Sequence, residues 1–366
     1  MEGSTLQLTA RFGRWTGCDE TRCVTFSRNS RDPPREPAYA PESLSVSNLK
    51  SMATVAQPST QPIVSSRTTT TPRTPNFADQ KNSPSLVGRI GPWKLVRLLS
   101  ESEVARVYVA RAVDGEQVAH ASYVLKVLRN PWWRDPQAIA MQRRAAWIGR
   151  TVSHPNLLPV LSAGVQQPPF YLVSPKLPGQ PLSRLLQDEA QLPIPFILWI
   201  IRQVAEGLQA LHETVDMIHG DVKPDNIMVS AEGHATLIDL GYAQSKKEIR
   251  HWSSRPVVGT LHYIAPEAIT SSLTAEPSSD IYSLGATFYQ MLTGRLPFPM
   301  DDPTELVRAH RETAPECVRD LVPNLPKPVA SLVHRMLAKS PLRRPASAKE
   351  VASELTRLEI DCFGLR

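Results

Sequence analysis

Cysteine is scarce in this chain: four residues in 366, at Cys18, Cys23, Cys317 and Cys362, with no repeated spacing and no Cys or His pair to complement the first two. That pattern argues against a disulfide framework and against a zinc site, so reduced thiols in a cytoplasmic setting are expected. Long apolar runs are also missing, and nothing approaches the about 18 consecutive apolar residues that a membrane span needs. The most apolar run, Ile194 to Ile201, continues into an amphipathic segment from Arg202 to Leu211 and reads as a buried helix of a soluble protein. The net charge is +6 and the pI near 9.2, yet no dense Lys/Arg cluster interleaved with aromatics accompanies that excess. The doublets Lys246-Lys247 and Arg343-Arg344 are too short to read a groove, so no nucleic-acid partner is expected.

What the chain has in excess is proline, 34 residues of it. Much of it lies with Ser, Thr and Arg in residues 1–88, in stretches such as Pro33-Pro34-Arg35-Glu36-Pro37 and Thr68-Thr69-Thr70-Thr71-Pro72. These cannot bury enough apolar surface to offset the entropy of ordering, so a disordered extension is expected there. Arg11, Arg14, Arg22 and Arg28 suggest a transit peptide, but Glu2, Asp19 and Glu20 oppose it, and Met52 is an alternative start. From Ile90 the pattern changes. Trp93–Val96, Val107–Ala110 and Tyr123–Leu128 read as strands of an antiparallel sheet, Gln137–Val152 as a helix, and Tyr171–Val173 as a further strand. A linker with Pro175, Pro178 and Gly179 follows. Helical periodicity then dominates: Phe196–His212, Ser279–Leu292, Thr304–Arg311, Pro328–Leu337 and Ala348–Leu358.

Three motifs carry chemistry. His219-Gly220-Asp221-Val222-Lys223-Pro224-Asp225-Asn226 is followed thirteen residues later by Asp239-Leu240-Gly241, and then by Ala265-Pro266-Glu267. In this order they resemble the eukaryotic-type (Hanks-type) Ser/Thr protein kinase family, over roughly Ile90 to Leu358. The resemblance implies an α+β bilobal fold: a small antiparallel N-lobe sheet with one helix, about 89–176, and a larger, mainly helical C-lobe, about 177–358. A short tail, 359–366, would follow. It further implies ATP with Mg²⁺, or Mn²⁺, as cofactors and a protein Ser/Thr hydroxyl as acceptor. Asp221 would orient the attacking hydroxyl, Lys223 would reach the γ-phosphate, and Asn226 and Asp239 would hold the metal through oxygen ligands. Lys126 would contact the α- and β-phosphates. Val107 and Val124 would sandwich the adenine, the Leu177 amide would meet the base, and Ser174 would guard the back of the pocket. Glu267 would pair with Arg344, Asp280 would brace the catalytic loop, and Thr260 would bond Asp221 and Lys223.

The departures lie mostly in the N-lobe. The family's helix glutamate would fall at Ala145, and no Glu occurs between Arg129 and Val160; Gln142, one turn earlier, or Asp239 could partner Lys126 instead. Ser100, Ser102 and Ala105 stand where the family's phosphate loop has glycines that let the backbone approach phosphates. Glu101 and Glu103 add negative charge there, or turn to solvent. Leu240 replaces the usual Phe, and Gly220 replaces the Arg that grips an activation-segment phosphate, which weakens the case for a switch at Ser253, Ser254 or Thr260. Ser/Thr kinase activity is the first reading. A pseudokinase that scaffolds or regulates a partner and a small-molecule phosphotransferase are the alternatives.

Overall fold

The computed structural model describes residues 88–113, 123–188, 191–245, 261–270 and 275–363. The expected N-terminal extension before residue 88 lies outside them, as do Ser253, Ser254 and Thr260. The first half forms one antiparallel sheet from β1 (Arg89–Ile90), β2 (Trp93–Glu101), β3 (Ala105–Ala112), β4 (Tyr123–Leu128), β5 (Ser162–Gly164) and β6 (Tyr171–Pro175). Their spatial order is β1-β2-β3-β4-β6-β5. Alternation along β4 does the sorting. Leu125 and Val127 join Leu95, Tyr108, Ala110 and Val173 in a core on one face of the sheet. Val124, Lys126 and Leu128 therefore face the other way, where Leu128 packs with Ala138 of the single α-helix of this lobe, α1 (Pro136–Thr151).

Helix α1 starts where sequence chemistry asks it to. Asp135 caps it by accepting from the Ala138 amide at 2.7 Å, and Pro136 fills the first turn, where no amide proton is needed. It stops at Thr151 because the chain turns extended at Val152 before His154-Pro155. Its inner face packs Ala138 against Leu128 and Phe170.

Past β6 the chain builds a helical lobe. Gly179 marks the passage: its φ is +90°, and a Cβ there would lie 1.8 Å from the Val229 carbonyl oxygen, so only glycine fits. Short elements follow: β7 (Gln180–Pro181), α2 (Leu182–Asp188), β8 (Met217–Ile218), β9 (Ile227–Val229), β10 (Ala235–Leu237) and β11 (Gln244–Ser245). They pair as β10-β9-β7 and β11-β8. The helices are α3 (Ile194–Val215), α4 (Pro266–Thr270), α5 (Pro277–Thr293), α6 (Pro303–Glu312), α7 (Val318–Leu321), α8 (Lys327–Met336) and α9 (Ala348–Phe363). Among the described residues α3 is the helix long and apolar enough to cross a membrane. Here it is the core of the lobe, with Leu198, Ile200, Ile201, Val204, Leu208 and Leu211 wholly buried against α5 and α9.

Two differences from expectation have simple causes. The tail expected from residue 359 is helical to Phe363, because Glu359 pairs with Arg202 at 2.8 Å and Cys362 is buried, so the helix continues as long as it has a partner. The two- and three-residue strands and α2 are too short to show a period, and tertiary pairing alone creates them.

Candidate active site

The loop His219–Asn226 hangs between β8 and β9 and is held from beneath by one carboxylate. Asp280, on α5, accepts from the backbone amides of His219 at 2.7 Å and Gly220 at 2.9 Å, and meets His212 Nε2 at 2.8 Å. Burial pushes the Asp280 carboxyl up, but its bonds to protonated groups, His212 first, outweigh that and hold it below the usual range. His219 is fully buried; its Nε2 donates to the Ile238 carbonyl at 3.0 Å, leaving Nδ1 to accept the Asp221 amide at 3.3 Å. Gly220 sits at φ +76°, with the Tyr242 carbonyl oxygen 3.1 Å from where a Cβ would be. A glycine in place of the family's arginine thus suits a left-handed turn of backbone.

This scaffold aims three side chains at one point. Lys223 Nζ lies 2.8 Å from Asp221 Oδ2 and 3.0 Å from Oδ1. Asn226 donates both amide protons to Asp221, to its carbonyl oxygen at 2.8 Å and its Oδ2 at 2.7 Å. Neither bond uses the Asn226 side-chain oxygen, Oδ1. The fourth group, Asp239, has φ 66° and ψ 64°, a left-handed conformation rare outside glycine, which turns its carboxylate inward. There it pairs with Lys126 Nζ at 2.7 Å, across the two lobes. Burial pushes the Asp239 carboxyl up; the Lys126 ammonium, with His219 and the Gly241 amide, overrides this and keeps it ionised well below the usual range. The residues on each side are supplied by different elements, so the site exists only when both lobes are packed.

A protein-family profile described as "Protein kinase domain" matches residues 95–355. The chain belongs to the protein kinase domain family. Its curated relatives include serine/threonine-protein kinase PrkC of Bacillus subtilis, 25% identical over 72% of this chain and 40% of that protein. The probable serine/threonine-protein kinase PknB of Lactococcus lactis is 27% identical over 69% of this chain and 40% of the relative. Serine/threonine-protein kinase PknA of Mycobacterium tuberculosis is 31% identical over 69% of this chain and 58% of its own length. The chain thus matches 40% of the length of the first two relatives and 58% of the third.

As a kinase domain the chain has its own form of the turn between β2 and β3. Ser102 closes the tip between β2 and β3: its hydroxyl lies 3.0 Å from the Ala105 amide, and its own amide donates to the Ala105 carbonyl at 2.8 Å. Arg129 donates to the Ser102 and Glu103 carbonyls at 3.0 and 3.2 Å, and Trp132 Nε1 to Glu103 at 2.9 Å. Glu101 does not stand as a bare charge, since Arg106 lies 2.9 Å and Arg129 3.6 Å from its carboxylate. The bond to Arg106, chiefly, draws the Glu101 carboxyl below its ordinary value. Ser100 is exposed on β2. Val107 and Val124, both partly exposed, lie on the adjacent strands β3 and β4. Buried Ser174 is the ladder partner of Val124, and Leu177 follows two residues after β6.

Away from the site, Arg344 grips Glu267 with two nitrogens, at 2.6 and 2.8 Å, and adds the Ser278, Ala338 and Lys339 carbonyls. Burial raises the Glu267 carboxyl; Arg344 more than compensates and holds it low. Sequence reading foresaw that pair and the Asp280 brace. It did not foresee His212 beneath Asp280 or the Arg129–Trp132 clamp, which was legible only as an Arg and two Trp just after a strand end.

The donor set suits the cofactors the family uses. Asn226 and Asp239 carry hard oxygens that would hold a divalent cation, and the Lys126 ammonium paired with Asp239 would meet phosphate. Metal-bound nucleotide would bring an activated phosphoryl group with its charge partly neutralised.

Proposed function

We propose that this chain is an ATP-dependent protein kinase that moves the γ-phosphate to Ser or Thr hydroxyls of protein substrates. The observation that carries the reading is the convergence of Lys223 and Asn226 on Asp221, with Asp239 next to Ile238, whose amide donates to the Asn226 backbone carbonyl at 2.8 Å. Phosphoryl transfer asks the protein for position and charge compensation more than for covalent chemistry. Asp221, fixed by two Asn226 protons, keeps its remaining lone pairs for the acceptor hydroxyl, orients it and takes up its proton. Lys223 stays within reach of both that carboxylate and the incoming phosphoryl oxygens, so negative charge gathering at either is met at once. Lys126 binds phosphate oxygens from the other side. Asn226 and Asp239 would hold Mg²⁺, with Mn²⁺ as the alternative. Val107, Val124 and the Leu177 amide would bind the base, with Ser100 and Ser102 near the phosphates. Lys223 followed by Pro224 favours Ser/Thr over Tyr acceptors by resemblance.

The test is transfer of label from ATP by the purified chain, with Mg²⁺ and separately with Mn²⁺, beside Asp221→Asn. Label should enter the chain itself or a basic protein substrate, and fall by about 10²–10⁴ in the variant, the range a positioned proton acceptor supplies. Nucleotide binding without transfer under either metal would instead support the scaffolding reading.

A further inference from the structure

Lys126 has one ion-pair partner among the described residues, Asp239 at 2.7 Å, and that carboxylate is also the one placed to bind a divalent cation. A cation on Asp239 repels the ammonium and competes for the same lone pairs. The lysine then needs another acceptor on the protein side, opposite the phosphates, if its flexible four-carbon stem is to stay aimed. Helix α1 offers no carboxylate, since Ala145 stands on the face that packs inward. It does offer Gln142, only 5% exposed, whose Oε1 is buried with no hydrogen-bond partner. Among the described residues before the Gly179 passage, it is the one buried side-chain acceptor left unsatisfied. A buried acceptor without a donor is costly and calls for an explanation.

The packing places Gln142 at the right level. Ala138, one turn before it, meets Leu128 and Phe170. Lys126 lies two residues before Leu128 on the same face of β4 and is the ladder partner of Leu172, two residues beyond Phe170. The next residues of the helix reach the Asp239 turn itself: Arg144 Nη1 approaches the Gly241 carbonyl at 3.4 Å, and Met141 Cβ lies 3.6 Å from where a Gly241 Cβ would be. Gln142 sits between them in sequence, on the helix that joins the lysine strand to the metal-binding turn.

We propose that Gln142 is a positioning residue for Lys126: its Oε1 takes over the ammonium when Asp239 turns to a divalent cation. The inference deepens the kinase reading and rests on it. It makes the helix contribute a neutral acceptor that takes the lysine only in the metal-loaded state, while the Asp239 ion pair holds it without metal.

The experiment is a double-mutant cycle on nucleotide binding, read with a fluorescent ATP analogue with and without Mg²⁺. The variants are Gln142→Leu, Gln142→Glu, Lys126→Met and Lys126→Met with Gln142→Leu. Gln142→Leu should weaken Mg²⁺-dependent binding roughly tenfold, the scale of one hydrogen bond to a charged group. It should leave metal-free binding unchanged, lose its effect in the Lys126→Met background, and melt no lower than the unaltered chain. Gln142→Glu should strengthen Mg²⁺-dependent binding. Equal weakening with and without Mg²⁺, or weakening that persists in Lys126→Met, would reduce Gln142 to a packing residue and overturn the proposal. So would no effect at all. Binding that obeys the cycle without phosphate transfer would fail the kinase reading and leave the Gln142 assignment standing. An unaltered chain that binds no nucleotide would remove both.

Discussion

At the scale of single residues, much of the site depends on groups that never touch a substrate. Asp280 orders two consecutive amides of the catalytic loop and is itself held ionised by His212. Asp280→Asn keeps the shape but turns one accepting oxygen into a donor facing backbone N–H groups. Each hydrogen bond to a charged acceptor is worth about 1.5–3 kcal/mol, so a loss of that order is expected in chemical denaturation. Transfer should fall with it while nucleotide affinity holds, because Lys126 and Asp239 are positioned by other elements. A variant with normal turnover would show that the loop keeps its form without the brace. Asp280 was legible because the stretch Asp280–Gly285 resembles the family's bracing helix segment. His212, beneath the same carboxylate, was not, since only the packing of α3 on α5 brings it there.

Elements show the opposite balance. Long helices were readable from their period, but how they are seated was not. Helix α6 is fastened to α5 through His310, whose Nδ1 meets the Tyr282 hydroxyl at 2.9 Å and whose ring stacks edge-on against Phe298 with centroids 4.9 Å apart. Lys339 lies over Phe298 at 4.2 Å and donates to the Ala309 carbonyl at 3.0 Å. Burial, then the Lys339 ammonium and His262, push the His310 imidazole down to about 3 from an ordinary 6.5. Burial, with Arg344, brings Lys339 down to about 8. Below pH 6.5 the unfolded chain takes up a proton at residue 310 that the folded chain refuses, so stability present at neutral pH is lost as pH falls toward 3. His310→Asn keeps an acceptor for Tyr282 and removes the titration. Between pH 7 and 5 the unaltered chain should lose roughly 1–2 kcal/mol more than the variant, measured by urea unfolding at each pH. Parallel pH profiles would mean that His310 already accepts a proton when folded. No sequence signal announced this cluster, because α6, the segment around Phe298 and Lys339 come together only in the folded lobe.

At the scale of the whole molecule, two lobes meet at one polar seam, with Lys126 from the sheet and Asp239 from the helical side. The order of strands then helices was plain from the switch of period near Gly179, and the catalytic motifs named the lower lobe almost residue by residue. The upper lobe was harder to read, because its departures are absences: no helix carboxylate near Ala145 and no glycines at Ser100, Ser102 and Ala105. An absence gives no spacing to read, and the replacement devices come from Gln142 on α1 and from Arg129 and Trp132 beyond β4.

The clamp on the β2–β3 turn has a consequence in time. Glycine loops flex over a nucleotide's phosphates, whereas Arg129 and Trp132, beyond β4, hold this turn in place by donating to its Ser102 and Glu103 carbonyls. A roof that is already fixed neither has to close before the nucleotide is held nor delays its departure. Stopped-flow release should therefore be fast and a single exponential, and Trp132→Phe, which leaves the Glu103 carbonyl to Arg129 alone, should lengthen residence by adding a slower phase. Release unchanged in the variant would show that the turn is held without the indole. With short residence, occupancy of the site would follow the surrounding nucleotide concentration from moment to moment.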